Sequence, residues 1–377
     1  MKIASILLWL AIPFVTLGCD KKQPDSGNDQ VPNKEIEASV LIGNLNTPWE
    51  ILWGHDNYIW VTERDGIVSR VNPQNGQKQQ ILKLTVEQSG ESGLLGMALH
   101  PDFKTHPYVY LVYTYRSSGS IKEKLSRFTF SNNQLINEEV LLDNITGNTY
   151  HDGSRLLFAS DGTLFMTTGE AGEQPLAQNP NSLNGKFLRI NADGSVPSDN
   201  PFSGSYVWAL GSRNAQGLDF GRNGILYSSE HGPESDDEIN IIEKGMNYGW
   251  PQVRGYCDKN DEKEFCRTNN VKEPIQVYTP TLALAGIAYY DSDHIPQWKN
   301  SLIVTSLKAG ELLVLHLSDD GKTVSKTSTV YDNDYGRLRD VCVSPDGRVF
   351  FCTSNRDGRG SPKDNDDKII EIKPVNK

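Results

Sequence analysis

Apolar and polar residues alternate in short runs along most of this chain, and the runs end in turn residues. Tyr58-Ile59-Trp60-Val61-Thr62 and Ile67-Val68-Ser69-Arg70-Val71 read as strands, as does Tyr108 to Tyr115. Their β-branched and aromatic residues suit a pleated, half-buried surface. A turn-then-strand unit then recurs. Ser160-Asp161-Gly162 leads into Thr163 to Gly169, Gly221-Arg222-Asn223-Gly224 into Ile225 to Ser229, and Ser344-Pro345-Asp346-Gly347 into Arg348 to Phe351. Looser copies open at Gly54 and Asn300. Asp-Gly and Asn-Gly between apolar runs are strong hairpin signals, because glycine takes the positive φ that tight turns require. No amphipathic helix of about 10–15 residues stands out, which disfavours an α/β fold. Short strands with repeated hairpin turns over roughly 340 residues predict an all-β chain. At about 50–60 residues per blade they predict a six-bladed β-propeller. One or two large β-sandwiches are the competing architecture.

The N-terminus breaks the pattern. Lys2 precedes an apolar run, Ile3 to Leu17, that is too short to span a bilayer. Thr16-Leu17-Gly18-Cys19 resembles a bacterial lipobox, with Thr16 where an aliphatic residue is usual. Residues 1–19 are therefore expected to be a lipoprotein-type signal ending at Cys19. Residues 20–36 are expected to be a flexible polar tether, and residues 37–377 the propeller. The expected location is the periplasm or cell envelope, with lipid on Cys19 as the membrane contact. Ordinary secretion after cleavage is the alternative.

Export permits disulfides. Of five cysteines, Cys19 is the odd one. Cys257 and Cys266 flank a charged loop and either close it or stay free. Cys342 and Cys352 bracket the turn at Asp346-Gly347. A two-residue turn there sets Cys342 opposite Phe351 and Cys352 on the other sheet face, so two buried thiols are expected. A loop one residue longer reverses that. The formal net charge of −11 argues against nucleic acid as a partner, since phosphate binding needs a basic footprint.

Chemistry concentrates in a few loops. Leu226 to Pro251 breaks at His231-Gly232-Pro233, passes an acidic run (Glu234, Asp236, Asp237, Glu238) and ends at Tyr248-Gly249-Trp250-Pro251. A Gly-Pro turn frees carbonyls for a hard cation, and calcium takes carbonyl and carboxylate oxygens. A solvated acidic loop reads the same way. His151, on a loop entering a strand, has the residue type of a general base, or of a structural hydrogen-bonded histidine. Arg213 and Asn214 lie in a Gly-bounded loop, Lys308 follows a strand, and Arg337 and Arg339 stand at strand spacing. Four cations in an acidic chain suit a polyanion, or are scattered surface charge.

Taken together, these segments resemble the soluble pyrroloquinoline quinone (PQQ) dependent glucose and sorbosone dehydrogenases, especially bacterial aldose sugar dehydrogenases. The likeness covers roughly residues 40–375. It rests on Gly93-Leu94-Leu95-Gly96 with His100-Pro101-Asp102-Phe103, on His151 to Arg155, and on Arg213 to Leu218. Glu230 through Pro251, Ser306-Leu307-Lys308 and Arg337 to Asp340 complete it.

The resemblance implies a six-bladed propeller that oxidises an aldose at C1 to a lactone. Hydride passes to PQQ, and the electrons leave to an unnamed acceptor. It implies that His151 is the base and that Arg213, Asn214, Lys308, Arg337 and Arg339 contact PQQ. Gly232 and Pro233 match carbonyl ligands of a catalytic calcium, and Glu238 and Tyr248 match a second calcium site. The sequence departs from the pattern at Glu91, where some relatives carry a Gln that contacts PQQ. A carboxylate there repels a tricarboxylate unless it is protonated or turned away. The loop Arg254 to Lys272 matches poorly, and substrate choice is expected to reside in such loops. A calcium-dependent propeller lactonase or other hydrolase, and a binding propeller without chemistry, are the competing functions.

Overall fold

The recurring turn unit marks the same corner of three sheets. Gly162 donates to the Ala159 carbonyl (3.0 Å), Gly221 to Ile225 (2.8 Å), and Gly347 to Ser344 (2.9 Å). Each corner joins the first strand of a four-stranded antiparallel sheet to its second. The looser copies at Gly54 and Asn300 fall at the same corner of two further sheets.

The structure, a computed structural model, describes residues 35–375. The signal segment, Cys19 and the tether as far as residue 34 lie outside the described residues. Six sheets follow in chain order. Blade 1 holds Pro48–Trp53, Ile59–Glu63, Ile67–Val71 and Lys78–Lys83. Blade 2 holds Leu94–Leu99, Tyr108–Ser117, Ser120–Ser131 and Gln134–Thr146. Blade 3 holds Gly153–Phe158, Thr163–Thr168, Lys186–Asn191 and Val207–Leu210. Blade 4 holds Ala215–Phe220, Leu226–Glu230, Asp237–Ile241 and Gln276–Tyr278. Blade 5 holds Leu284–Tyr290, Ser301–Ser306, Glu311–Leu317 and Val324–Asp332. Blade 6 takes Leu338–Val343, Val349–Thr353 and Ile369–Pro374 from the C-terminus and its outer strand, Ile36–Ile42, from the N-terminus. Ile36 pairs with Pro374, so the fold starts one residue before the expected boundary.

The first strands of the blades pack against one another in a closed ring. The core is six apolar layers, one at each interface between neighbouring sheets. Tyr110 and Val112 of blade 2 meet Leu156 and Met166 of blade 3, and Ile51 of blade 1 meets Phe350 of blade 6. Hydroxyls and carboxylates tie the blades across these layers. Thr62 donates to the Leu95 carbonyl (2.7 Å) and Thr167 to Ala215 (3.0 Å), while Asp340 accepts from the Ile51 amide (2.7 Å).

In every blade the pairing of first and second strands slips near the start of the first strand. Such bulges re-aim side chains and recur beside active sites. Here they turn Gln216 and Arg339 toward the central cavity.

Two expectations need correction. A helix, Asn260–Asn269, fills the loop after blade 4's third strand, where no helix stood out in the sequence. It is short and nearly all polar, with Glu262 its one buried residue. Cys257 and Cys266 close its loop as a disulfide. The corner at residues 344–348 is longer than two residues, so Cys342 pairs with Phe350 and Asp340 with Cys352. The two cysteines therefore share a sheet face instead of facing apart. They sit diagonally and remain buried free thiols, as expected.

Candidate active site

The loops that precede the inner strands gather at one end of the ring around a cavity of about 380 Å³. Glu91 comes from the loop before blade 2, His151 from that before blade 3, and Arg213 from that before blade 4. Gly232 and Pro233 enter from the turn inside blade 4, Lys308 from blade 5, and Arg337 and Arg339 from blade 6. Residues far apart in sequence thus meet because the loops before the first strands and the turns between second and third strands open on the same end of the ring.

His151 has a φ of 60°, and its Nδ1 hydrogen-bonds Oε1 of Glu170, a residue that is 1% exposed. Gly169 allows this approach, since a Cβ there would stand 1.7 Å from the His151 carbonyl. The Glu170 amide donates to the Arg213 carbonyl (2.9 Å), and the Tyr150 ring stands edge-on to the imidazole with centroids 4.7 Å apart. With Nδ1 held by the carboxylate, Nε2 is the nitrogen left to accept a proton.

Six cations line the cavity: Arg64, Arg213, Lys308, Arg337, Arg339 and Arg359. Three carboxylates join them, Glu91, Asp237 and Asp357, which leaves a surplus of three positive charges. Arg213 donates to the His231 carbonyl (3.0 Å) and lies over the Trp250 ring. Lys308 donates to Thr281 Oγ1 (3.0 Å). Arg337 pairs with Asp357 (2.7 Å). Arg339 is buried, donates to Gln216 Oε1 (2.7 Å) and keeps an unpartnered Nε. Burial and the neighbouring Arg155 push Arg339 down to about 10, so it stays charged at neutral pH.

Arg155 lies beside Arg339 and has its own partners. Arg155 pairs with Glu50 (2.6 Å) and Asp340 (3.0 Å), and both guanidiniums lie over the Trp49 ring.

Asn214 stands apart from the other expected contacts, for it does not line the cavity. It is buried behind the His151 loop, where Oδ1 accepts from the Gly153 amide (3.1 Å) and Gln216 Nε2 (3.0 Å). Glu91 pairs with Arg359 at 2.8 Å.

Gly232 and Pro233 also border a smaller adjoining pocket with Glu230, Glu238 and Tyr248. Glu230 and Glu238 are directly opposed across two strands. Like charges in that position repel. Burial, with the Glu230 charge beside it, pushes Glu238 up to about 8, and burial pushes Glu230 up to about 7. Two buried carboxylates and a carbonyl turn are a donor set that suits a hard divalent cation. The Tyr248 hydroxyl already donates to the Ile241 carbonyl (2.7 Å) and accepts from the Glu243 amide (2.9 Å). Only its backbone carbonyl is left to offer. Among the described residues no group of three or more His, Cys, Asp or Glu gathers as a metal site.

Sequence reasoning missed Glu170, Arg64, Arg359 and His231. Burial, then Arg339 and Arg213, holds the His231 imidazole well below its usual range, so it is neutral. Its Nε2 is unpartnered. Only His231 carried a sequence signal, its place before Gly232-Pro233.

The profile of the family described as Glucose / Sorbosone dehydrogenase matches residues 45–361. Quinoprotein glucose dehydrogenase B of Acinetobacter calcoaceticus is 31% identical over 94% of this chain and 93% of its own. An aldose sugar dehydrogenase of Escherichia coli K12 is 31% identical over 90% of this chain and 94% of its own. Among solved structures, the PQQ-bound aldose sugar dehydrogenase of Streptomyces coelicolor superposes with a TM-score of 0.80 at 31% identity. That match covers 91% of this chain and 99% of the other.

Proposed function

The chain belongs to the glucose/sorbosone dehydrogenase family, and on that footing we propose that it oxidises an aldose at C1 to the lactone, with PQQ as cofactor and His151 as base. The observation that carries this reading is the cavity itself. Its surplus of three positive charges matches a tricarboxylate, and His151 stands on its wall. When bound, PQQ supplies the hydride acceptor and calcium a Lewis acid.

The protein's part is to bind, orient and move a proton. Arg213, Lys308, Arg337 and Arg339 would hold the cofactor's anionic groups, with Gln216 keeping the Arg339 fork in place. His151 Nε2 takes the proton of the C1 hydroxyl, and Glu170 fixes the tautomer and steadies the imidazolium that forms. Asn214 supports the His151 loop from behind. The Gly232 and Pro233 carbonyls would hold a calcium at the cavity, and Glu238 with the Tyr248 carbonyl a second. A propeller hydrolase would need carboxylates and amides converging on a central metal, whereas this cavity presents cations. A binding propeller would have no use for the His151–Glu170 pair.

The test is titration of PQQ into the apo-protein with calcium, followed by dye reduction across a panel of aldoses. Saturable binding and aldose-dependent reduction support the reading, and failure of either sinks it. For location we propose lipid on Cys19 in the cell envelope. Mass spectrometry of the mature N-terminus decides that, and an unmodified start elsewhere would overturn it.

A further inference from the structure

The Glu91 carboxylate stands where an anionic cofactor is least welcome, and it cannot turn its loop away. The Glu91 amide donates to the Thr149 carbonyl (2.7 Å), beside the His151 loop. Gly90 has a φ of 60°, and a Cβ there would stand 2.2 Å from the same carbonyl. Ser92 is fully buried, and its Oγ accepts from the Ser89 amide (3.0 Å) and donates to the Ser89 carbonyl (2.7 Å). Arg64 donates to the carbonyls of Gly90 and Ser92. The backbone that presents Glu91 is thus held on every side.

The opposing cation is equally placed. Arg359 Nη2 meets Glu91 Oε1 at 2.8 Å, and its own amide donates to Asp357 Oδ1 (2.9 Å). Asp357 Oδ2 in turn accepts from Arg337 Nε (2.7 Å). Charges alternate around the rim from Arg337 through Asp357 and Arg359 to Glu91, so blade 6 answers the carboxylate of the loop before blade 2. The Arg359 side chain is 64% exposed and that of Glu91 29%. An exposed pair of this kind adds little to folding stability. Its effect is on the field of the cavity.

We infer that Arg359 is a further positioning residue for the cofactor, acting by neutralising Glu91 so that this rim accepts a polyanion. The inference rests on the PQQ reading above. Arg359 does this without needing to touch the cofactor, which separates it from Arg213, Lys308, Arg337 and Arg339.

The test is the dissociation constant of PQQ for calcium-supplemented apo-protein, read from tryptophan fluorescence in a double-mutant cycle. Arg359→Ala should weaken PQQ about tenfold, because it removes the ion-pair partner of Glu91 at the rim. Arg359→Lys should restore most of the affinity. Glu91→Gln should bind at least as tightly as wild type, and in that background Arg359→Ala should cost less than about twofold. An equal cost in both backgrounds, or no cost in either, would overturn the inference while leaving the PQQ reading intact. Absence of PQQ binding by the wild type would overturn both. Melting curves of the variants, both altered at a partly exposed rim, check that they fold.

Discussion

The His151 imidazole is held through Nδ1 by Oε1 of Glu170, and that carboxylate is closed off from solvent. The pair predicts two different losses. His151→Ala should cost about 10²–10⁴-fold in turnover while cofactor binding survives. Glu170→Gln keeps the shape but no longer fixes the tautomer, so it should lose at least about tenfold in rate and shift the pH profile of kcat. Stopped-flow reduction of bound PQQ by an aldose sees the step directly. A wild-type rate in His151→Ala would make the histidine structural.

Arg339→Ala should behave in the opposite sense. The side chain is buried, bonded to Gln216 and stacked over Trp49. Its loss should raise the PQQ dissociation constant by about tenfold or more before it lowers the rate at saturation. Because Arg155 keeps its own partners in Glu50 and Asp340, that ion-pair cluster should survive. If saturated turnover collapses with affinity unchanged, Arg339 acts on the reaction and not on binding.

Calcium removal should lower both melting temperature and dye-reduction rate. The buried carboxylates Glu230 and Glu238 oppose each other in one pocket, where a divalent cation would offset their repulsion. A ligand at 100 times its dissociation constant stabilises the folded state by about 2.7 kcal/mol. Differential scanning calorimetry with and without chelator measures the shift. An unchanged profile would end the two-calcium reading.

Asp367, in blade 6, gives a pH dependence of stability. It is fully buried and accepts from Thr353 Oγ1 and the amides of Asn355 and Arg356. Burial, with Asp366 nearby, lifts its carboxyl to about 6. A folded value above the unfolded one means the folded state binds the proton more tightly. Its contribution is therefore complete below about pH 4 and is lost as pH rises through about 6. Relative to Asp367→Asn, the wild type should lose at most about 3 kcal/mol between pH 4 and 7. Urea denaturation of both proteins at several pH values gives the difference. A gap that stays flat with pH contradicts it.

Much of the fold could be read in advance because one corner repeats. Asp161-Gly162, Asn223-Gly224 and Asp346-Gly347 each close a first-to-second-strand hairpin. The helix Asn260–Asn269 escaped because it has no apolar stripe to betray it; a disulfide and the capping pair of Lys259 and Glu262 hold it instead. The cysteine register was misjudged because the residues of a turn do not by themselves say how many belong to it. In the site, Arg213, Lys308, Arg337 and Arg339 lay in recognisable segments, whereas Glu170 and Arg359 did not. Each is defined by a partner on another segment, His151 for one and Glu91 for the other. Such pairings exist only once the ring has closed.

Closure has a consequence for how the protein comes into being. Strand Ile36–Ile42 waits for Ile369–Pro374, so the first and last described strands are neighbours in the finished sheet. Contacts of such long range form late, after the intervening chain has been ordered. Arg64 and Arg337 face the same cavity only at that stage. A chain that lacks Ile369–Pro374 cannot close the ring and so cannot assemble the anion-binding chamber. Cofactor capture is thereby restricted to complete molecules, and a loaded protein has already passed its own test of folding.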